Sequence, residues 1–390
     1  MHKLNTRVFS ALSFSIFTSV TGVGIVVPLL PVYARNMGAT GLYIGMIFGA
    51  FSLSRTVFIP WFGRTSDRRG RKPFIVCGLL IYALISVAYI FSRNVETLIV
   101  IRFVQGIASA MMMPVAQAYV GDLAPEGSEG LTMGLYNISL FIGMSFGPLI
   151  GGYINDHFSL RGAFAAMGIM SVIGFFLSLF FLPPTRTERM TGHEKQPASW
   201  LELIIDRHMA ALFLFRFGYA SGIGVIWGFL PVFADTEFAL SSSAIGLLVV
   251  LGVLISGLLH GPMGYMADRV NKRFMVLTGG AVTACAIYSY DLAHGFWGLF
   301  FANTFYGFGG GISMPALTAM AVIKGNKAGA MGSVMGLLMM AHSLGMLVGA
   351  VLGGLIMDTV SLRYAFVMGA GLIAFNAVAF MRLSREDRFA

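Results

Sequence analysis

The chain has 390 residues, of which 57% are hydrophobic and only 11% charged. A soluble domain carries about 25% charged residues, so water is not this chain's main solvent. The net charge of +9 has no soluble domain to carry it, which argues against a nucleic-acid partner. In lipid every backbone N–H and C=O needs a partner, and runs of about 20 apolar residues satisfy them within a helix. A membrane barrel would show alternating segments of about 10 residues instead.

In chain order the apolar runs predict twelve spans: 9–33, 41–62, 74–92, 97–120, 131–154, 162–182, 209–233, 243–266, 274–290, 296–322, 329–356 and 364–381. The first is too long for a signal-peptide core and lacks a small-residue cleavage pattern, so it reads as a retained span. The polar stretch 183–208 divides the spans six and six. The predicted domains are therefore a six-helix half over 1–182, a linker over 183–208 and a second six-helix half over 209–390. Within the linker, Trp200–Arg207 has the pattern of a short interfacial helix. Cys77 and Cys285 both fall in apolar runs, with no spacing for a disulfide, a redox pair or a zinc site. No metal or cofactor is expected.

Lysine and arginine set the orientation. With both termini cytoplasmic, 19 of the 26 basic residues lie in inner segments. Arg35, Arg93, Arg161 and Arg363 fall outside, and Arg55, Arg102 and Arg216 lie within spans. The expectation is an integral protein of the inner or plasma membrane, with both termini inside.

The two halves repeat one another. Between spans 2 and 3 the chain reads Gly63-Arg-Thr-Ser-Asp67-Arg68-Arg-Gly70-Arg71-Lys72-Pro, and a degenerate copy, Gly264-Tyr-Met-Ala-Asp268-Arg269-Val-Asn-Lys272-Arg273, follows 201 residues later. Gln105-Gly106 and Pro114 correspond to Tyr306-Gly307 and Pro315 at the same offset. One residue further on, Gly151-Gly152 and Asp156 correspond to Gly353-Gly354 and Asp358, and Ser159-Leu160-Arg161 to Ser361-Leu362-Arg363. Duplicated six-helix halves commonly enclose a solute path whose access alternates by rocking.

These residues resemble the motifs of the major facilitator superfamily, over essentially the whole chain. Gly63, Asp67, Arg68, Gly70, Arg71 and Lys72 meet every fixed position of its loop signature. Arg102-x-x-Gln105-Gly106 on span 4 is similar to its second motif. Gly143-x-x-x-Gly147-Pro148-x-Ile150-Gly151-Gly152 on span 5 is similar to the third, typical of the drug–proton antiporter (efflux) branch. Two departures stand out: the loop Pro125–Gly130 lacks the basic residue often found near Glu129, and the second-half counterpart of Gly147-Pro148 is Gly349-Ala350. The resemblance implies an all-α fold of twelve transmembrane helices in two pseudo-symmetric halves. It also implies a latch on the cytoplasmic side. Asp67 would face the N-terminus of span 11, whose dipole favours an anion. Arg68, Arg71 and Lys72 would pair with Asp122, Gly63 would permit close helix contact, and Asp268 beside Arg269 would act likewise on span 5. The plainer reading of the loop is a basic segment that merely sets topology. On span 5, Gly143, Gly147, Gly151 and Gly152 let backbones approach closely and Pro148 bends the helix, either sealing the boundary between halves or simply packing.

All seventeen acidic residues fall outside the predicted spans, while Arg55, Arg102, Arg216, His260 and His342 fall inside. A charge at bilayer depth costs about 2.5–3.5 kcal/mol on insertion scales, so each needs a watery cavity, a partner or an interface. By resemblance, spans 1, 4, 7 and 10 line the cavity. On span 4, Arg102, Gln105, Ser109, Met113 and Ala116 share a face; on span 7, Arg216, Tyr219, Ile223 and Trp227 do. Asn303 and Tyr306 take the places of Arg102 and Gln105 in the second half. The family motif assigns Arg102 to the cavity and to proton transfer. Arg55 and Arg216 either serve the cavity or snorkel to an interface. His260 reads as structural. His342 is either a packing residue or a proton carrier, and is the embedded group whose ordinary pKa lies nearest neutrality. Met111-Met112-Met113 either lines a plastic pocket or fills a contact.

The function expected is export of a small amphipathic solute by alternating access, driven by a proton gradient, in a monomeric secondary transporter of the multidrug-resistance kind. No enzyme constellation is present. Without a buried carboxylate, a neutral or anionic solute is favoured over a cationic one. Alternatively the proton travels through Asp122, Asp67 or His342, or the carrier is uncoupled. The competing readings are an organic-anion facilitator or uptake carrier and a lipid flippase.

Overall fold

The computed structural model describes residues 5–124, 129–184, 203, 205–328 and 331–384. Thirteen helices make up the described chain, with no strand among the described residues: α1 Thr6–Val26, α2 Leu29–Asn36, α3 Gly41–Arg69, α4 Lys72–Phe91, α5 Val95–Leu123, α6 Glu129–His157, α7 Leu160–Phe181, α8 Arg207–Phe238, α9 Ser242–Ala267, α10 Lys272–Tyr288, α11 Phe296–Ala328, α12 Met331–Thr359 and α13 Leu362–Leu383. They amount to twelve spans, because α1 and α2 form the first one, interrupted at Val27-Pro28. Pro28 and Pro31 bring no N–H to that region, so a break there forfeits little hydrogen bonding. Eleven spans are long and apolar enough to cross a membrane; the twelfth, α10, has 17 residues and is about 25 Å long. The expected twelve-helix membrane fold is what the chain adopts.

The ends are written in short polar residues. Asn5, Asn94, Ser159, Asp206 and Asn271 each accept a backbone N–H three residues on, from Val8, Thr97, Gly162, Met209 and Phe274. Such caps satisfy donors that a helix start leaves open. The helices also outrun the predicted spans, and this corrects the placement of the acids. Asp67, Glu96, Asp122, Glu129, Asp156, Asp235, Glu237 and Asp358 all lie on helices, yet each within a turn or so of an end. The middle of every described span remains free of carboxylate.

By contacts the chain forms two compact units. Unit 1 is Met1–Gly38, Ala50–Met190 and Ser241–Val250; it holds most of the first seven helices and the opening turns of α9. Its core includes Leu12, Ile16, Leu79 and Tyr82, with Tyr89 stacked on Phe164 at 5.0 Å between centroids. Unit 2 is Ala39–Gly49, Thr191–Leu240 and Leu251–Ala390, so the first turns of α3 belong to it. Phe215 against Phe380 and Phe233 against Phe366 build its core. Leu84, Phe91, Phe180, Leu258 and Phe375 stand exposed, the outward face of a protein whose surroundings are lipid. The Trp200–Arg207 expectation lies mostly outside the described residues. Cys77 and Cys285 are free thiols.

Candidate functional site

Unit 1 gathers its polar side chains where α3, α4 and α5 meet. The faces follow helical spacing: Phe51 and Arg55 on α3, Tyr82 and Tyr89 on α4, Arg102, Gln105 and Ser109 on α5. Gly106 sets the approach of α5 to α3, since a Cβ there would overlap Ser54 Oγ and the Phe51 carbonyl. Arg102 is 3% exposed and Gln105 fully buried. Arg102 Nη1 donates to Gln105 Oε1 at 3.0 Å, and the Tyr89 hydroxyl donates to the same oxygen at 2.9 Å. The Arg102 guanidinium lies 4.6 Å above the Phe51 ring, a cation–π contact. Tyr82 pairs with Ser109 and stands close enough to both Arg55 and Arg102 to feel their charge. Two donors in this cluster, Arg55 Nε and Gln105 Nε2, are buried without a hydrogen-bond partner. Met113, further along α5, is half-buried, and Ala116 is fully buried.

Unit 2 holds the repeat-related residues in a different chemical state. Asn303, which stands for Arg102, donates to the Leu299 carbonyl of its own helix at 3.0 Å. Tyr306, which stands for Gln105, stacks on Tyr219 at 6.1 Å with the rings 11° from parallel. Arg216 Nη1 reaches the Met314 sulfur at 2.7 Å, and His260 Nδ1 sits 2.5 Å from the Ser256 carbonyl oxygen. Of the face expected on α8, Arg216, Ile223 and Trp227 are half-buried, while Tyr219 is buried. His342 is half-buried within α12.

The basic loop is only partly the expected latch. Arg71 Nε donates to Asp122 Oδ2 at 2.9 Å, and Arg71 Nη1 to Ser66 Oγ at 3.2 Å. Arg68 and Lys72 make no ion pair with Asp122 among the described residues. Only an arginine at 71, opening α4, is aimed back at the end of α5. Gly70 has φ +88°, a left-handed conformation that glycine adopts without strain, and this explains its fixed place in the motif. Among the described residues, a Cβ at Gly63 would meet nothing within 4 Å. The Asp67 side chain lies outside the described residues. Asp268 is exposed with no ion pair among the described residues, and Arg269 stacks on Tyr265 at 4.2 Å instead. The side chains at the start of span 5, the expected partner of Asp268, lie largely outside the described residues.

The span 5 glycines divide their work. A Cβ at Gly143, Gly147 or Gly151 would press on the Phe17, Thr21 or Ile25 carbonyl, so these three pack α6 against α1 within unit 1. Gly152 meets Ser242 at the start of α9, and Gly246 meets the Pro148 carbonyl. The same arrangement recurs in unit 2, where Gly354 meets Gly41 and Gly45 meets the Ala350 carbonyl. Both contacts end in a carboxylate that sequence reasoning did not single out for function. Asp156 accepts the N–H groups of Ser242 and Ser243 at 2.9 and 2.7 Å. Asp358 accepts those of Gly41 and Leu42 at 2.6 and 2.8 Å. Each caps the first turn of a helix, where N–H groups are open and the dipole favours an anion. The signal was in the repeat: Asp156 and Asp358 hold matching places in it.

The Major Facilitator Superfamily model matches residues 12–221 and 212–389. An uncharacterised MFS-type transporter of Methanocaldococcus jannaschii is 28% identical over 390 residues, 99% of this chain and 100% of the relative. Multidrug resistance protein 2 of Bacillus subtilis is 25% identical over 392 residues, covering 98% and 96%. Among solved structures, a bacterial homolog of the human lysosomal transporter Spinster superposes with a TM-score of 0.82 at 14% identity, covering 100% of both chains, a likeness of fold.

Proposed function

Because the chain belongs to the Major Facilitator Superfamily, as a membrane transporter and not an enzyme, we propose that it exports a small amphipathic solute by alternating access, in exchange for protons. The observation that carries this reading is the unit 1 cluster. Arg102 and Gln105 sit buried where a packed core would hold apolar residues, and they are held in one orientation by Tyr89 and Phe51. A membrane helix keeps such residues at a cost that a solute or proton path justifies. Full-length likeness to a multidrug resistance protein supports efflux as the direction.

In this reading residues 1–182 and 209–390 are the two moving halves, joined by 183–208. The basic loops face the cytoplasm, both termini lie there, and the protein works as a monomer in the cell membrane. Arg102, Gln105, Met113, Arg216, Tyr219, Trp227, Asn303, Tyr306 and His342 face the solute path. Arg71 and Asp122 hold one end of unit 1, while Asp156 and Asp358 hold the opposite helix starts. With no carboxylate mid-span, Arg102 or His342 is the proton-linked group. A second reading, an organic-anion carrier, is favoured by one observation: Arg55 and Arg102 share a cluster that contains no described acid.

The test is lumenal pH in liposomes holding the purified protein, with gradients of cationic, neutral and anionic amphiphiles. Solute-dependent proton movement, lost in Arg102→Ala or His342→Ala, is the expected result. Solute flux without proton movement would remove antiport and leave a facilitator or a flippase.

A further inference from the structure

We propose that Arg55, Arg102 and Gln105 form an anion subsite within unit 1, which takes the carboxylate, sulfate or phosphate end of an amphipathic solute. The inference rests on the transport reading above and names the charge class of what is carried. Arg55 is the new element: in the sequence it stood only as an embedded charge, open between the cavity and an interface.

A guanidinium in a low-dielectric site needs a counter-charge or strong acceptors, because burying unsatisfied polar groups is costly, and Arg55 keeps a buried Nε without one. The titratable groups that face Arg55 and Arg102 are Tyr82 and Tyr89, whose ordinary pKa of about 10 leaves them neutral at pH 7. Gln105 Oε1 is already taken by Arg102 and Tyr89, which fixes the amide and directs Nε2 elsewhere. That Nε2 and Arg55 Nε are both buried and unsatisfied. Both lack an oxygen acceptor; an anionic group would supply one and offset the Arg55 charge as well, whereas a cation could do neither. Packing does not demand these charges. The corresponding positions of the second repeat are Ser256, Asn303 and Tyr306, all neutral, and Asn303 and Tyr306 are buried there without a charge. Arg102 is already oriented by Phe51 and Gln105, so a bound anion would order little further, and preorganisation of that kind favours affinity.

The experiment uses the full chain in lipid nanodiscs and four probes with one tail: decanoate, decyl sulfate, decanol and decyltrimethylammonium. Calorimetry is expected to show the two anions binding at least tenfold tighter than the alcohol or the cation. Arg55→Gln should cost the anions tenfold or more and leave decanol unchanged, with Arg55→Lys intermediate. Should Arg55→Gln fail to fold by thermal unfolding, Gln105→Glu gives the same reading, since a carboxylate there should expel the anions. Equal binding of all four probes, or anion binding that survives both variants, overturns the subsite while leaving transport in place. Thermal protection by chloride over gluconate, with no amphiphile competing, also overturns it by showing a resident inorganic ion. Absence of flux for all four probes in liposomes would remove the transport reading, whereas anion-selective binding that Arg55→Gln abolishes would still support the subsite.

Discussion

The two repeats place the same helices at the same crossings and then fill them with opposite chemistry. In unit 1, Tyr89 finds an acceptor in Gln105, and Arg102 brings a full charge to the same oxygen. In unit 2, the related Tyr290 is buried with its hydroxyl unpaired, Tyr306 fills the place of Gln105 with a ring, and Asn303 satisfies itself on its own helix. The tight crossing is kept in both: a Cβ at Gly106 would overlap the Phe51 carbonyl, and one at Gly307 would come 2.8 Å from the Gly252 carbonyl. Backbone approach is duplicated, while an arginine at the place of Arg102 is found in one copy only, the charge of the other coming from Arg216 on a different helix. The scaffold follows from the duplication, and the chemistry is sought where the copies disagree.

Charge is the sharpest place to break this comparison. Asn303→Arg would place a guanidinium at a site that is 1% exposed and lacks the Gln105 oxygen and the Phe51 ring. The insertion cost is about 2.5–3.5 kcal/mol, enough to reduce the folded yield severely. Fluorescence size-exclusion of detergent extracts measures that yield. Arg102→Ala should in contrast fold and lose solute-dependent flux by at least tenfold. If both variants behave alike, the two copies are chemically equivalent and the asymmetry carries no function.

The far-end caps test where the copies agree. Asp156→Ala and Asp358→Ala each remove two N–H acceptors from a helix start, worth about 0.5–2 kcal/mol. A loss of about 1 kcal/mol raises local opening roughly fivefold. Hydrogen exchange should therefore rise about fivefold at amides 242–246 in the first variant and at 41–45 in the second, each leaving the other segment unchanged. Equal responses would mark a true symmetric pair; a response in one alone would show that only that cap bears strain.

Much of this was legible in the sequence. Composition and run length gave twelve helices, because lipid permits few alternatives. Helical spacing placed Arg102 beside Gln105, since residues three apart on a helix share a face, whereas the stacking of Tyr219 on Tyr306 joins two helices and was not legible. What stayed hidden were contacts that depend on which helices meet. Nothing in the glycine spacing of α6 says that Gly147 lies on Thr21 while Gly152 lies on Ser242. The basic loop offered three partners for Asp122, and of these Arg71 makes the described pair. Arg55 was visible as a charge in an apolar run, but its nearness to Tyr82 follows from the crossing of α3 and α4.

Among the described residues the Arg71–Asp122 pair has no counterpart in the second loop, where Ile323 stands at the place of Asp122, and a smaller effect follows from it. The partners are 16% and 47% exposed, so the pair is worth under about 1 kcal/mol. Arg71→Ala should shift the melting temperature by no more than a few degrees, yet change the solute flux several-fold if the loop latches a transport state. The matching Lys272→Ala should change neither. A melting shift without a change in flux would reduce the motif to an anchor.

The smallest effect reverses the sense of the comparison, because here the second copy carries the charge. Asn5 and Asp206 stand 201 residues apart and cap the first turns of α1 and α8, accepting from Val8 and Met209 at 3.3 and 2.8 Å. Asp206 also receives Lys324 Nζ at 2.7 Å. Burial by itself would raise the Asp206 pKa, but the bonds from Lys324 and Met209 and the charge of Lys324 outweigh it and hold the carboxyl below its ordinary range. A carboxyl lowered in the folded state adds stability above its unfolded pKa of about 3.9, and that contribution is lost as pH falls through the folded value. Its partners are 30% and 21% exposed, which keeps the gain under about 1 kcal/mol. Asp206→Asn retains a cap oxygen and loses the ion pair. Thermal unfolding should thus show the native chain slightly more stable than the variant from neutral pH down to about 4.5, with the gap closing below about pH 4. Asn5→Ala should weaken its helix start by a similar amount at every pH, because that cap holds no proton to lose.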